Sequence, residues 1–277
     1  MHPYTNDFYA KIGAGSRRSA ELMLPLVLHW VQPRSVVDVG CGIGAWLAVA
    51  RAHGITDVLG MDGAYVNRSQ LQIPAAQFLS AELNAPPRLD RQFDLVLSLE
   101  VAEHLPAAQA ADFIAYLTGL GAVVLFSAAA PRQGGDGHLN EQWPAYWAAL
   151  FAAHGFRALD CLRPRFWNCP ELEFWYAQNT VLYVHADHAR LPELLTATAA
   201  AASAPATPLP LIHPQLYRQH YDWLLQAETE RRPPAPSLRE TLMSLPGLLR
   251  QALQRRWQRV PLAAYPAAAK TERRTLP

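Results

Sequence analysis

The segment VVDVGCGIGAW, at residues 36–46, constrains the fold of this chain more than any other feature. Apolar residues lead into Gly40, Gly42 and Gly44, and a helical pattern follows at once. In α/β proteins, a buried strand that enters a glycine-rich turn and then a helix forms a nucleotide-cofactor site, because glycine lets the backbone turn tightly and approach a ligand. Asp38 interrupts the apolar strand, and a buried carboxylate is costly unless it has a partner. The segment therefore predicts a ligand site at this turn.

Alternating strand and helix patterns extend from about residue 16 to residue 185. The first five strand candidates are continuous apolar runs, which is typical of parallel strands that are buried on both faces. Strands are predicted at 35–39, 57–61, 76–80, 93–99, 122–128, 156–162 and 179–185. Helices are predicted at 44–54, 106–120 and 141–155. This order predicts a doubly wound α/β fold with a mainly parallel, seven-stranded sheet.

The C-terminal part of the chain differs in composition from the rest. Residues 1–190 are expected to form the folded domain, residues 191–212 an Ala/Pro-rich linker, and residues 213–277 a basic, helical and partly disordered tail. Residues 231–277 carry ten Arg or Lys and two Glu, which suggests an anionic partner. The helix expected at 247–260 is a candidate for weak contact with an anionic membrane, and no nucleic-acid partner is expected.

Composition bears on the compartment. The chain has 277 residues, a net charge of +1 and three cysteines, Cys41, Cys161 and Cys169, whose spacing is typical of neither a metal site nor a disulfide framework. The first residues lack the order of charges of a signal peptide, and no segment is apolar over the roughly 20 residues that a membrane-spanning helix needs. We therefore expect a cytoplasmic protein, with attachment to the inner membrane face as an alternative.

Two classes of cofactor fit the glycine loop. GCGIGA, at residues 40–45, is compatible with a dinucleotide fingerprint that uses Asp62 on the ribose, and equally with the loop of proteins that bind S-adenosylmethionine (SAM). Asp38 favours SAM, because a carboxylate would repel the pyrophosphate of a dinucleotide and attract the ammonium group of SAM. An NAD-linked dehydrogenase is therefore the disfavoured alternative.

With these residues, the segment 16–185 resembles the class I SAM-dependent methyltransferases. The resemblance also rests on VLGMDG at 58–63, on FLSAELN at 78–84, and on FDLVLSLEVAEHL at 93–105, which is similar to the fourth-strand segment of the family. It implies that Asp62 binds the ribose hydroxyls and that Glu82 meets the adenine amino group. The cofactor-binding residues predicted in this way are Asp38, Gly40, Cys41, Gly42, Gly44, Asp62, Gly63, Glu82, Leu83 and Glu100.

The reaction is expected at the residues that follow the fourth and fifth strands. A hydroxyl acceptor needs a base, and His104 and His138 are the candidates, with Glu103 as the residue that orients an imidazole. The glycine-rich segment 133–137 lies directly before His138 and is flexible enough to close over a ligand. An O-methyltransferase is therefore predicted. The alternative from another class is a catalytically silent methyltransferase fold that serves as a binding or scaffold module.

No divalent metal is expected to be required. The alternative is a metal set similar to that of the small-RNA 2′-O-methyltransferases, and its four residues are Glu100, Glu103, His104 and His138. Two carboxylates and two imidazoles would suit Mn²⁺ or another transition metal better than Mg²⁺.

The acceptor is indicated only by a second resemblance. Segments 126–147 and 162–184 are similar to bacterial methyltransferases found beside glycosyltransferases in surface-polysaccharide loci, which implies a small molecule or a glycan hydroxyl as the acceptor. The sequence determines neither the acceptor's identity nor the oligomeric state.

Overall fold

The computed structural model describes residues 6–199, 208 and 210–231. The chain divides into two units, Met1–Tyr221 and Asp222–Pro277. In the second unit only residues 222–231 are described, and they belong to a helix. The sheet, and with it the candidate site, lies in the first unit.

The first unit is built around a seven-stranded sheet. Its strands are β1 (Ser35–Val39), β2 (Asp57–Asp62), β3 (Phe78–Ser80), β4 (Leu95–Leu99), β5 (Val123–Ser127), β6 (Phe156–Leu159) and β7 (Val181–His185). The order is β3-β2-β1-β4-β5-β7-β6. The first five strands pair in parallel, and β7 pairs antiparallel with both β5 and β6. The predicted fold class and its seven strands are confirmed.

Helices precede the sheet, connect its strands and follow it. Those of the described residues are α1 (Asn6–Val31), α2 (Ala45–Ala52), α3 (Ala110–Leu120), α4 (Pro144–Ala153), α5 (Arg163–Phe166), α6 (Phe174–Asn179), α7 (Leu191–Ala199) and α8 (Pro214–Arg231). The three predicted helices are confirmed as α2, α3 and α4. The sequence reading did not identify α1, α5 or α6.

Helices cover both faces of the sheet, as the apolar strands require. Every residue of β1, β4 and β5 is buried. Successive side chains of β1 point to opposite faces. Accordingly, Val36 packs in an apolar cluster that includes α1 and α2, and Val37 in one that includes α3 and α4. With both faces covered, the carboxyl edge of the parallel strands is where a ligand can approach the loops.

The chain after residue 190 differs in part from the predicted linker. Residues 191–199 form α7, in which Leu191 and Leu194 are buried. Farther along, the amide of His213 donates to Gln178 Oε1 at 2.7 Å, and Leu216 in α8 is buried. This segment was predicted to be a linker because of its Ala-rich composition. Its leucines nevertheless recur at a helical spacing, and they bury one face of α7.

The structure bears only in part on two features expected of the chain, the basic helix of the tail and the lack of a membrane-spanning segment. The helix expected at 247–260 lies outside the described residues, so the division of the chain stays a prediction. Among residues 6–199, 208 and 210–231, there is no helix with the combination of length and apolar character that crossing a membrane requires.

Candidate functional site

A cavity of about 840 Å³ lies at the carboxyl edge of the parallel strands. Its walls come from the segments that follow β1, β2, β3, β4 and β5, with aromatic residues of α6 on one side. Every predicted cofactor residue except Gly44 lines this cavity, and so do Glu103, His104 and His138. The structure thus brings the predicted cofactor loop and the predicted reactive residues into one space.

The glycine loop after β1 needs glycine for its backbone. Gly40, Gly42 and Gly44 have φ of 88°, 54° and 83°, in the left-handed region that side chains disfavour. A Cβ atom on Gly40 would also lie 2.3 Å from Cγ2 of Val101. The loop therefore closes tightly against the segment after β4, and Gly44 contributes as the N-cap residue directly before α2 rather than by lining the cavity.

Asp38 is a buried acid that faces the cavity, since 2% of the residue is exposed. Burial, and then the charge of Asp62, raise the pKa of Asp38 well above its ordinary value. A cation in the cavity would stabilise its charged form, and a pyrophosphate would destabilise it further. The ammonium group of SAM fits this position, and a dinucleotide does not.

Asp62 ends β2 and holds the glycine loop. Its carboxylate accepts hydrogen bonds from the amides of Gly42 and Gly63, at 2.6 and 2.7 Å, and from the hydroxyl of Tyr65 at 2.5 Å. Burial raises the pKa of Asp62, while these three donors act against the increase. A fixed carboxylate with two acceptor oxygens suits two adjacent ribose hydroxyls. Sequence reasoning missed Tyr65, whose only signal was an aromatic ring shortly after the strand.

The remaining predicted cofactor residues differ in exposure. Glu82 is exposed and Leu83 is half-buried, and both line the cavity after β3. Cys41 is buried, and its Sγ donates to the carbonyl oxygen of Gly42 at 3.4 Å. Burial raises the pKa of the Cys41 thiol well above its ordinary value, so it is a neutral, packing residue of the loop.

Glu100 is held by a polar network that the sequence did not indicate. Asn179 donates to its Oε1 at 3.1 Å, and Gln133 donates to its Oε2 at 2.9 Å. Burial raises the pKa of Glu100, and these hydrogen bonds partly oppose that increase. Glu100 has φ of 56°, and its amide donates to Ser127, so its backbone is also restrained. No local pattern predicts the contact with Asn179, because the two residues are 79 positions apart.

The segments after β4 and β5 meet at the other end of the cavity. A short 3₁₀ turn, Ala102–His104, carries Glu103 and His104. The carbonyl oxygen of Glu103 accepts from the amides of Leu139 and Asn140 at 2.7 and 3.0 Å, which ties the loop after β5 to this turn. The ring centroids of His104 and His138 are 4.9 Å apart. We call Glu103, His104 and His138 the Glu-His-His cluster; their roles stay predictions.

The members of the Glu-His-His cluster differ in their environment. The side chain of Glu103 is fully buried, and burial and the charge of Glu100 raise its pKa well above the ordinary value. Burial, and then the charge of His138, lower the pKa of His104. In His138, Nδ1 lies 2.9 Å from Oε1 of Glu141. The helix predicted to begin at residue 141 begins at Pro144, so Glu141 precedes α4 and contacts His138 instead.

One candidate metal group emerges among the described residues, and it is smaller than the set weighed from the sequence. Glu103, His104 and His138 each offer a ligand atom, and these atoms lie within 4.8 Å of one another. Glu100 is not a member of this group, and its carboxylate accepts hydrogen bonds from Asn179 and Gln133.

Aromatic residues divide between the cavity and the core. Phe174, Trp175 and Tyr176 of α6 line the cavity. Trp147 is 1% exposed and packs on Phe126, so it belongs to the core. Sequence alone does not separate these two roles, because an aromatic side chain suits a buried core and a binding surface equally.

Comparison of the chain with protein families gives one match over its sheet domain. A family model described as a methyltransferase domain matches residues 15–165, which is more than half of the chain. No curated protein matches the chain significantly.

The chain is similar to several solved structures at low sequence identity. The sugar N-methyltransferase KedS8 from Streptoalloteichus is 18% identical, with a TM-score of 0.52 over 66% of this chain and 93% of that chain. The magnesium protoporphyrin IX methyltransferase from Synechocystis, solved with bound SAM, is 19% identical, with a TM-score of 0.47 over 67% and 87%. An O-methyltransferase-like protein from Nostoc punctiforme is 15% identical, with a TM-score of 0.48, and this chain spans 59% of its length.

Proposed function

This chain belongs to the class I SAM-dependent methyltransferases, and from that premise we propose that it methylates a hydroxyl group of a small molecule or a sugar. The proposal concerns the acceptor and the residues that act on it. The observation that carries it is the Glu-His-His cluster, which faces the same cavity as the glycine loop and Asp62. A hydroxyl must lose a proton when it is methylated, and this cluster provides groups that can accept or direct one.

The cofactor end of the cavity explains how the chain would hold the methyl donor. SAM supplies a methyl group that its sulfonium already activates. Asp38 would hold the ammonium group, and Asp62 would hold the ribose hydroxyls once they replace the hydroxyl of Tyr65 on its Oδ1. Glu82 and Leu83, which line the exposed rim of the cavity, would meet the adenine. These residues position the donor, and positioning is most of what this reaction requires.

The acceptor end has both polar and aromatic walls. The Glu-His-His cluster would bind the acceptor hydroxyl and accept its proton. Trp175 and Tyr176 line the same cavity and would provide aromatic rings on which a sugar or another planar molecule can stack. The segment 133–137, between β5 and His138, is held at one end by Glu141, which accepts from the amides of Arg132 and Gly134 at 2.6 and 2.9 Å. The same loop would exclude water when it lies over a bound acceptor.

The test is methyl transfer from labelled SAM to a panel of sugars, nucleotide sugars and envelope glycans. We expect label in an acceptor whose mass rises by one CH₂ unit and whose product resists the mild alkaline hydrolysis that cleaves methyl esters. A product methylated at nitrogen, or transfer only to carboxylates, would contradict the hydroxyl assignment. The membership in the methyltransferase family would be unaffected by that result.

The cytoplasmic location and the contact of the tail with a membrane are a separate part of the proposal. The basic residues of the segment 231–277 support the membrane contact, because each Lys or Arg near an anionic surface contributes about 1 kcal/mol to the free energy of binding. Sedimentation of the full-length protein with phosphatidylserine vesicles should fall as salt rises. Equal sedimentation with neutral vesicles would contradict the electrostatic contact.

A further inference from the structure

We propose that the Glu-His-His cluster is a binding site for one divalent transition-metal cation, next to which the acceptor hydroxyl binds. The inference rests on the proposed methylation of a hydroxyl and adds to it how the hydroxyl is held. It departs from the expectation, drawn from the sequence, that no metal is required.

Glu103 is the first observation that supports a cation. Its side chain is 0% exposed, and neither carboxylate oxygen has a hydrogen-bond partner of good geometry among the described residues. The groups that act on this carboxyl are the backbone amides of Glu103 and Ala129 and the carboxyl of Glu100, none of which carries a positive charge. Within the same part of the chain, no Lys or Arg forms an ion pair with it. A buried carboxylate without a partner is strongly destabilising, and it borders the cavity rather than the apolar core. A cation at that border would supply the missing charge.

The two imidazoles are the second observation, because they complete a set of three ligands. One atom from each of Glu103, His104 and His138 lies within 4.8 Å of the others. Small movements of these side chains would bring the three atoms to a shared ion. The two rings lie edge to face with their centroids 4.9 Å apart, so the imidazoles are in direct contact with each other.

Backbone contacts build this arrangement without a ligand. The amides of Leu139 and Asn140 bind the carbonyl oxygen of Glu103, so the residues on either side of the loop cannot separate freely. A Cβ atom on Gly135 would lie 2.3 Å from Nε2 of His138, so the loop can take this path only with glycine there. Backbone contacts therefore hold the three side chains of the cluster close to one another.

Glu141 accepts a hydrogen bond from the ring of His138, as carboxylates commonly do from histidines that bind metals. The Nδ1–H of His138 donates to Oε1 of Glu141 at 2.9 Å, a tautomer assigned from this contact. Nε2 then remains as the nitrogen that can bind a cation. Histidines that bind metals commonly donate their other ring N–H to a carboxylate, which fixes the ring and strengthens the ligand.

The ligand types select the class of cation. Mg²⁺ and Ca²⁺ prefer shells of oxygen atoms, whereas imidazole suits cations such as Zn²⁺, Fe²⁺ and Co²⁺. Three protein ligands leave at least one position open, as in metal sites that bind a substrate. Because the cluster lies in the same cavity as the cofactor residues, the acceptor hydroxyl could occupy that open position.

The experiment is a titration of the full-length protein, freed of metal with a chelator, with Co²⁺ alone, followed by the visible absorption of the ion. We expect one saturable Co²⁺ site per chain. Its affinity should fall at least tenfold in His138→Ala and in Glu103→Gln, which keeps the shape of the buried side chain. It should fall by about 10- to 100-fold in Glu141→Gln, because the support of His138 is lost. His154→Ala, which removes an exposed histidine at the end of α4, is the matched control and should bind Co²⁺ unchanged.

A second measurement covers the case in which a variant does not fold. X-ray absorption of the Co²⁺-loaded wild-type protein should show two imidazole nitrogens bound to the ion. A shell of oxygen alone, the absence of saturable binding, or equal affinity in folded ligand variants and wild type would each overturn the proposal.

Methyl transfer separates this inference from the proposed function. If the inference is right, a chelator abolishes transfer, and Co²⁺ or Zn²⁺ restores it. Full transfer to a hydroxyl in the presence of a chelator would refute the metal and leave the function standing. Co²⁺ bound by the cluster in a protein that methylates no hydroxyl would refute the function and the acceptor's place beside the ion, but not the metal site.

Discussion

At the scale of single residues, Asp62 connects the end of β2 to the glycine loop through the amides of Gly42 and Gly63. We expect Asp62→Ala to weaken SAM binding, because it removes an acceptor for the ribose hydroxyls and releases the loop. A hydrogen bond to a charged group contributes about 1.5–3 kcal/mol, so the Kd should rise by about tenfold or more. Calorimetry on folded protein measures this change.

The same strand offers a matched control for Asp62. Asp57 begins β2 at its opposite end and forms an exposed ion pair with Arg91, at 2.5 Å. Exposed pairs contribute about 0–1 kcal/mol to stability. Asp57→Ala should therefore leave the Kd of SAM unchanged, and equal weakening by both variants would show that the effect of Asp62 is not local.

Asp38 should link stability to pH in the protein without cofactor. Because its pKa in the fold is raised above the unfolded value, about 3.9, the folded state binds more protons between the two values and loses stability as pH rises through that range. Asp38→Asn should therefore unfold at a higher temperature than wild type at neutral pH, and the difference should vanish at a pH below the unfolded value.

The cost of Asp38→Asn should appear in the cofactor. Without the carboxylate, the ammonium group of SAM loses its partner, so we expect the same variant to bind SAM more weakly although it is more stable. Thermal melts at several pH values, with and without SAM, measure both effects. A variant that is less stable than wild type at neutral pH would contradict the account of Asp38 as a buried charge kept for the ligand.

At the scale of elements, α6 anchors the polar end of the cavity through Asn179. We expect Asn179→Ala to lower the free energy of unfolding by about 1–3 kcal/mol, because Glu100 and Gln133 each lose a buried hydrogen bond. Chemical denaturation measures the change. Gln92→Ala, which removes an exposed amide, is the control and should change stability by less than about 0.5 kcal/mol. An equal loss of stability in both variants would contradict the stabilising role of the hydrogen bonds that Asn179 makes.

Elements also show where sequence reasoning reached its limit. The continuous apolar runs predicted β1, β4 and β5, because strands that are buried on both faces have no polar alternation to obscure them. By contrast, α6 occupies six residues, too few for a helical period to stand out. The sequence therefore did not predict that Gln133 and Asn179 bind Glu100, because that contact depends on how the fold brings their segments together.

At the scale of the whole molecule, the position at which the chain is shortened should matter. Ending the chain after residue 231 retains α7 and α8, so we expect the free energy of unfolding and the Kd of SAM to stay near those of the full chain. Ending it after residue 190 removes Leu191, Leu194 and Leu216, which are buried, so we expect lower stability, by about 2 kcal/mol or more for the loss of three such side chains. Denaturation of both shortened chains decides between this result and a dispensable segment 191–231.

The sequence by itself determined the fold class and the cofactor end of the site. Its information there is local: an apolar strand, a turn that only glycines can form, and Asp38 and Asp62 at or near strand ends are each contained in a few consecutive residues. Because the carboxyl ends of parallel strands meet at one edge of a sheet, such local signals are enough to predict that these residues share a cavity.

Only the tertiary structure decided how the reactive end is arranged. The sequence offered Glu100 together with Glu103, His104 and His138 as an alternative metal set, but the group of possible ligands contains only the last three, and Asn179 and Gln133 from distant segments bind the carboxylate of Glu100. The position of Glu103 likewise depends on a loop that lies more than thirty residues farther along the chain, because the amides of Leu139 and Asn140 bind its carbonyl oxygen. Burial and pairing are properties of the space around a side chain, and chain segments far apart in sequence create that space.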